Sequence, residues 1–204
     1  MTVPDMPQSP PRAWQRMLSG RRLDLLHPSP DDIDIEDIAH GLARVARWNG
    51  QTVGEHAFSV AQHCLVVTEI VAELHADASR QFLRAALLHD AAEYVIGDLI
   101  SPFKAAIGLD YKAFETRLMS AIHERFDITD VSDAMRVAIK NADRIAAFYE
   151  ATTLAGFEIV EARTYFGHAS IPLYLAKRLE KLVAWPANTA QSDYLAIYDN
   201  VAEL

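Results

Sequence analysis

Residues 82–98 read FLRAALLHDAAEYVIGD, an apolar run that leads into a cluster of ionisable side chains. The run is typical of a buried helix, and residues three and four apart on a helix share a face. Glu93 is therefore predicted to project beside both His89 and Asp90, and Asp98 follows just past a glycine. Buried charges are costly unless they are paired or bind a metal. A divalent cation is the simplest partner for this cluster.

The length and composition of the chain exclude several classes of protein. The chain has 204 residues, of which 50% are apolar and 23% charged, which fits one domain or one domain with an added arm. The net charge of -9 argues against a general nucleic-acid-binding surface, which needs a basic excess. Cys64 is the only cysteine, so an intrachain disulfide and a thiolate zinc site are excluded. With no apolar run of roughly 18 residues and no signal-peptide pattern in residues 1–7, a cytoplasmic location without a membrane partner is expected.

The spacing of apolar residues predicts an all-α protein, an irregular helical bundle. From Ile35 onward apolar residues recur at three- and four-residue spacing, and no run shows sustained strand alternation. Residues 1–34 are rich in proline and polar side chains, so they are expected to form an N-terminal extended arm, followed by a helical domain over residues 35–204. The last two helices are predicted over residues 173–183 and 190–204.

Several polar residues are predicted to start helices. Thr52–Glu55 has the form of a capping box, and it is expected to open a helix that runs to about Leu74. Ser79 is a candidate N-cap for the helix that carries the ionisable cluster, Asp110 for a fourth helix, and Ser132 for a fifth.

A helical bundle can bring distant polar groups together in its core. His89 and Asp90 come from the third helix, and Asp143 interrupts the apolar face of the fifth. His56 and His63 are seven residues apart, which would place both on one face of the second predicted helix. Two histidines and two carboxylates suit a first-row divalent metal, with positions left for water and substrate. A lone histidine or aspartate would more often be an ordinary core or surface group, so only the combination favours a metal.

The same motifs resemble those of the HD-domain metal-dependent phosphohydrolases, and within them the 5'-deoxynucleotidase-like branch. The resemblance covers about residues 35–160. A His-Asp pair alone would indicate only the superfamily, whereas the longer string with its following proline and lysine indicates the branch. The motifs are ARVARW at 43–48, SVAQH at 59–63, LLHDAAE at 87–93, GDLISPFK at 97–104 and KNAD at 140–143.

This resemblance implies an HD-domain fold and one divalent metal ion, held by an upstream histidine together with His89, Asp90 and Asp143. The SVAxH form and the fifteen-residue distance from Trp48 favour His63 as that histidine. His56 would then contact a metal ligand, without binding the metal itself, or contact the phosphate. Manganese, cobalt, zinc, nickel, iron and magnesium are all open, because such sites accept several ions.

Catalytic and substrate-binding roles follow from the same resemblance. Glu93 is the candidate general acid or the group that orients the nucleophile, and Asp98 is expected to have a catalytic role and to accept a hydrogen bond from a sugar hydroxyl. Arg47 offers a planar fork suited to phosphate, and Trp48 offers a flat face for a base or sugar. Lys104 would add charge near the phosphate. A surface salt bridge for the glutamate, plain packing for the tryptophan and solvation for the lysine are the alternatives.

The predicted function is hydrolysis of the phosphomonoester of (deoxy)nucleoside 5'-monophosphates, with a small nucleotide and no nucleic-acid polymer as substrate. Two alternatives stay open: a nucleoside triphosphohydrolase that releases tripolyphosphate, and a catalytically silent nucleotide-binding or sensor protein. The presence of Glu93 and Asp98 argues against the silent protein. A homodimer is expected from the resemblance alone.

Overall fold

Helices make up most of the described chain. The computed structural model describes residues 13–99, 109–167 and 170–202. A short antiparallel hairpin, β1 Trp14–Arg16 and β2 Arg22–Asp24, precedes the helices. The predicted all-α bundle is confirmed, and the hairpin is a small departure because three-residue strands are too short to show alternation. The helices are α1 Ile35–Leu42, α2 Val60–Leu74, α3 Arg80–Leu87, α4 Glu93–Ile96, α5 Leu109–Arg125, α6 Asp133–Thr153, α7 Ile159–Phe166, α8 Leu173–Leu179 and α9 Ala187–Ala202.

α2 is the central helix of the bundle. It packs against α3, α6 and α9. Ten of its 15 residues are buried, so it is enclosed on nearly every side, as expected for a helix that is apolar all round. From α9, the buried hydroxyl of Tyr194 donates a hydrogen bond of 3.0 Å to the carbonyl of Leu87. α9 thereby holds the last residue of α3, two positions before His89.

The segment before α1 contributes to the core. Leu23 of β2 and Ile33 are fully buried. Nε of Arg125 on α5 donates to the carbonyl of Ile33 at 3.2 Å. Residues 13–34 therefore pack on the helices, whereas residues 1–12 lie outside the described part. The division into an arm and a helical domain stays a prediction.

The N-caps predicted for α3 and α6 are confirmed. The side chains of Ser79 and Ser132 each accept a hydrogen bond from the backbone amide three residues ahead. α5 begins at Leu109, so Asp110 lies inside its first turn and the cap predicted there is wrong. The two C-terminal helices are present as α8 and α9, close to the predicted ranges.

The capping box predicted at Thr52–Glu55 is wrong. α2 begins at Val60, and its N-cap is Ser59, whose side chain accepts from the amide of Gln62 at 3.2 Å. The earlier segment cannot be helical, because Gly54 has φ 109° and a distant carbonyl accepts the amide hydrogen of Val53. The loop therefore extends to the residue before α2.

The helices of the bundle carry charged residues on their exposed faces. Among the described ranges, no helix is both long enough and apolar enough to cross a membrane. The cytoplasmic location and the homodimeric assembly stay predictions.

Candidate metal centre

His89 and Asp90 lie in the turn that links α3 to α4. α3 ends at Leu87, because the next residue, Leu88, leaves the helical conformation with φ -95° and ψ 10°. The expectation that both side chains sit on one continuous helix is therefore wrong. Glu93 still lies near them, since the amide of Glu93 donates to the carbonyl of Asp90 at 3.0 Å and α4 starts there.

Imidazoles and carboxylates from three parts of the chain meet at one place. Nε2 of His63, on α2, lies 3.5 Å from Oδ2 of Asp90 and 3.4 Å from Oδ1 of Asp143, on α6. Nε2 of His89 lies 3.3 Å from the same oxygen of Asp90. One ligand atom from each of His63, His89 and Asp90 falls within 4.8 Å of the others. We call His63, His89, Asp90 and Asp143 the metal cluster.

In their neutral form, both imidazoles of the metal cluster present an unprotonated Nε2 to its centre. Nδ1 of His63 donates to Oε1 of Glu150 at 2.6 Å, and Nδ1 of His89 donates to the carbonyl of Ala86 at 2.8 Å. A carbonyl and an ionised carboxylate only accept, so in each neutral ring the hydrogen sits on Nδ1. Both Nε2 atoms are buried without a hydrogen-bond partner, which is rare for a polar atom. This donor set fits a first-row divalent metal.

The electrostatics of the metal cluster favour positive charge. Burial and the charge of Arg47 lower the pKa of His63, but the carboxylates of Glu150 and Asp143 outweigh them and raise that pKa above its usual value. Burial opposes ionisation of Asp90 and Asp143, yet the histidines beside them hold the pKa of both carboxyl groups below their usual range. A cation bound here would meet the same need for positive charge without protonating the rings.

Arg47 and Trp48 open a turn with an unusual backbone. Trp48 has φ 56° and Asn49 has φ 50°, both in the left-handed region, which costs a non-glycine residue about 1–2 kcal/mol. The turn is anchored where the amide of Arg47 donates to the carbonyl of Phe58 at 2.8 Å. Such conformations persist where the surroundings impose them, and they are concentrated at functional sites.

Arg47 faces the metal cluster with one end of its guanidinium. Nη1 lies 3.6 Å from Oδ2 of Asp98 and 4.0 Å from Oδ2 of Asp90. Nε and Nη2 both donate to Oε2 of Glu150 at 3.1 Å. Burial opposes the charge of Arg47, but Glu150 and Asp98 raise its pKa above the usual value. The structure therefore brings Arg47 and Asp98 to the edge of the cluster.

Glu150 is the residue that the sequence analysis missed. Its side chain is 0% exposed, and it also accepts from Nε1 of Trp48 at 3.0 Å. Burial alone would raise its pKa, but Arg47 and His63 lower it to about 2. A signal was present: Glu150 follows Asp143 by seven residues, hence on the same face of α6.

A cavity of about 470 Å³ opens beside the metal cluster. This volume lies in the range of small-molecule sites. Glu93 is 3% exposed and lines the cavity next to two cluster residues. The lining residues are His89, Asp90, Ala92 and Glu93, then Glu115, Thr116, Met119, Ser120 and His123 of α5, and Arg136 of α6.

Among the contacts of the described residues, none brings His56, a predicted substrate contact, to the metal cluster. His56 lies in a bend before α2, because that helix begins only at Val60, so the premise that His56 and His63 share a helix face is wrong. Of the two histidines, the described contacts bring His63 to Asp90. Lys104 lies outside the described residues. The individual site roles stay predictions.

Comparison with known proteins finds relatives of this chain. An uncharacterised protein of Rhodobacter capsulatus is 57% identical over 157 residues, 76% of this chain and 80% of that protein. YfdR of Escherichia coli is 32% identical over 130 residues, 64% of this chain and 66% of that protein. The 4'-phosphooxetanocin A phosphatase of Priestia megaterium is 28% identical over 117 residues, 52% of this chain and 60% of that protein.

The family described as 5'-deoxynucleotidase YfbR-like matches residues 39–169. This stretch is more than half of the chain, and it contains the metal cluster, the Arg47–Trp48 turn and Glu150. The resemblance to the HD-domain phosphohydrolases and to their 5'-deoxynucleotidase-like branch is thereby confirmed, as is the prediction of an enzyme. Metal dependence of that class agrees with the two Nε2 atoms of the metal cluster, which are buried and not hydrogen-bonded. The chain therefore belongs to the YfbR-like 5'-deoxynucleotidase family of HD-type hydrolases.

Proposed function

We propose that this protein hydrolyses the phosphomonoester bond of deoxynucleoside 5'-monophosphates with one divalent metal ion. The observation that carries the proposal is the convergence of two buried Nε2 atoms, neither of them hydrogen-bonded, on the two carboxylates of Asp90 and Asp143 beside a cavity. His63, His89, Asp90 and Asp143 would hold the ion. The family to which the chain belongs, and a relative that is named a phosphatase, support phosphate release.

The metal and Arg47 would both contact the phosphate group of the substrate. A bound ion supplies Lewis-acid polarisation of the phosphoryl group and lowers the pKa of water. Because Glu150 occupies Nε and Nη2 of Arg47, the Nη1 end is the part that faces the cluster. A guanidinium held in this way can donate to a phosphate oxygen without first being ordered, which reduces the entropic cost of binding.

Glu93 and Asp98 would complete the reaction. Hydrolysis breaks the bond between phosphorus and the 5' oxygen, adds a water oxygen to phosphorus and delivers a proton to the departing oxygen. Glu93 lines the cavity together with His89 and Asp90, which supports a role for its carboxyl group in orienting the water or supplying that proton. Asp98, beside Arg47, would accept a hydrogen bond from a sugar hydroxyl.

A phosphate-release screen over ribo- and deoxynucleoside mono- and triphosphates, with each divalent metal in turn, tests the proposal. We expect inorganic phosphate from deoxynucleoside 5'-monophosphates only when metal is present. Asp90→Asn should lower kcat/KM on the order of 1,000-fold, since metal stabilisation of a transition state is worth several kcal/mol. Asp77→Asn, an exposed carboxylate between α2 and α3, is the matched control and should retain activity.

Product analysis separates the alternatives. Tripolyphosphate in place of inorganic phosphate would establish a triphosphohydrolase and overturn the monophosphate assignment. Tight nucleotide binding with no turnover for any metal would establish a silent binding protein. Full activity of Asp90→Asn would show that the metal cluster does not carry the chemistry.

A further inference from the structure

Glu150 uses its two oxygens for two different parts of the site. Oε1 accepts from Nδ1 of His63 at 2.6 Å. Oε2 accepts from Nε and Nη2 of Arg47, both at 3.1 Å, and from Nε1 of Trp48 at 3.0 Å. The side chain is 0% exposed, so solvent water does not take the place of any of these bonds. One carboxylate thus joins a predicted metal ligand to the turn that carries the predicted phosphate contact.

Only an ionised carboxylate satisfies all of these donors. It accepts at both oxygens and donates at neither. Four N–H groups point at Glu150, three at Oε2 and one at Oε1, so a group that accepts at one atom only would leave at least one of them unpaired. We propose that Glu150 is a positioning residue that keeps the His63 hydrogen on Nδ1, and so keeps Nε2 open for the metal, while it holds the Arg47–Trp48 turn.

Replacing the carboxylate of Glu150 by an amide of the same size tests whether the tautomer of His63 depends on Glu150. Glu150→Gln has one acceptor oxygen and one donor nitrogen. If the oxygen faces Arg47 and Trp48, three N–H donors are satisfied and the amide nitrogen faces Nδ1 of His63. The ring must then accept at Nδ1 and carry its hydrogen on Nε2, where it blocks metal binding. The reverse orientation sets N–H groups against N–H groups in a buried space, which is the costlier choice.

The test is carried out on the whole 204-residue chain without metal and needs no enzyme activity. Nitrogen-15 NMR of the imidazoles at alkaline pH, where the rings are neutral, reports which nitrogen carries hydrogen. The signals of His63 are identified by their loss in His63→Gln. We expect the Nδ1–H tautomer in the wild-type protein and the Nε2–H tautomer in Glu150→Gln.

Calorimetric titration with Mn²⁺ gives the second readout. Loss of a residue that orients a metal-bound histidine typically costs 10–100-fold in affinity, and we expect a fall of that size in Glu150→Gln. The emission of Trp48 should change little, because its partner oxygen is kept. Asp37→Asn is the matched control: Asp37 is another buried carboxylate, held by the amide of Ser19, and its loss should leave Mn²⁺ affinity unchanged.

The inference rests on the proposed metal-dependent function, but the two can fail separately. A wild-type protein that binds no Mn²⁺ and no other divalent ion refutes the proposed function. A wild-type protein that binds metal but has His63 as the Nε2–H tautomer refutes the positioning role, and this measurement does not require the variant to fold. A folded Glu150→Gln that keeps the Nδ1–H tautomer and wild-type affinity refutes it as well.

Discussion

Gly41→Ala should destabilise the protein even though alanine is the better helix former. Gly41 lies near the C-terminal end of α1, which packs directly on α4. A Cβ at this position would lie 2.8 Å from Cβ, 3.1 Å from the carbonyl oxygen and 3.2 Å from Cα of Tyr94. None of these atoms can move away by rotation of a side chain. The backbone of α4 or the whole of α1 would have to shift.

Two opposing effects set the size of the change. Replacing glycine by alanine inside a helix stabilises it by up to about 1 kcal/mol. Forcing an extra carbon into a close-packed contact costs about 1–3 kcal/mol. The steric cost is the larger, so we expect the free energy of unfolding to fall by about 1 kcal/mol, which lowers Tm by about 2–4 °C for a chain of this size.

Urea denaturation of the metal-free protein measures this difference directly. His40→Ala, at the neighbouring half-buried position of the same helix, is the control and should cost about 0.5 kcal/mol or less. Because Tyr94 directly follows Glu93, the shift should also lower kcat. A Gly41→Ala protein at least as stable as the wild type would refute the reasoning, since α1 and α4 could not then approach each other as closely as described.

The start of α2 and the protonation of the metal cluster give two more predictions. Ser59→Ala should cost about 1 kcal/mol in a urea titration, because it removes the N-cap of α2. Thr52→Ala should cost less, since its hydroxyl makes no hydrogen bond, and the opposite order would contradict the position of the helix start. Neighbouring carboxylates raise the pKa of both His63 and His89 despite their burial, so metal must displace protons from them. Mn²⁺ affinity should therefore fall as the pH is lowered through the raised pKa values of these two rings, with proton release visible by calorimetry in buffers of different ionisation enthalpy; an affinity that does not change with pH would contradict this.

Local sequence was sufficient for the fold class and for most of the ionisable cluster. Helical spacing of apolar residues needs only neighbours within one or two turns, which is why the all-α class and the caps at Ser79 and Ser132 were predictable. A charged residue in an apolar frame is also a local signal, because its burial requires a partner. That argument identifies Asp90, Glu93 and Asp143 as candidate site residues from the sequence alone.

Local rules failed where distant parts of the chain compete for the same backbone. Thr52–Glu55 satisfies the pattern of a capping box, but the amide of Val53 donates to the carbonyl of Leu154, about 100 residues away, and the segment becomes a loop. The turn at His89 and Asp90 is a second place where the local pattern failed. Its apolar flanks favour a continuous helix, yet the backbone leaves the helix at Leu88.

The sequence alone determined that this chain is a helical protein with imidazoles and carboxylates that require a common partner. Only the tertiary structure decided that His63 reaches the metal cluster, that Trp48 adopts a left-handed conformation, and that Glu150 joins both to Arg47. The physical reason is the range of the interactions. Periodicity and capping act within a few residues, whereas Glu150 pairs with residues 87 to 103 positions away, which become its neighbours only when α2 and α6 pack together.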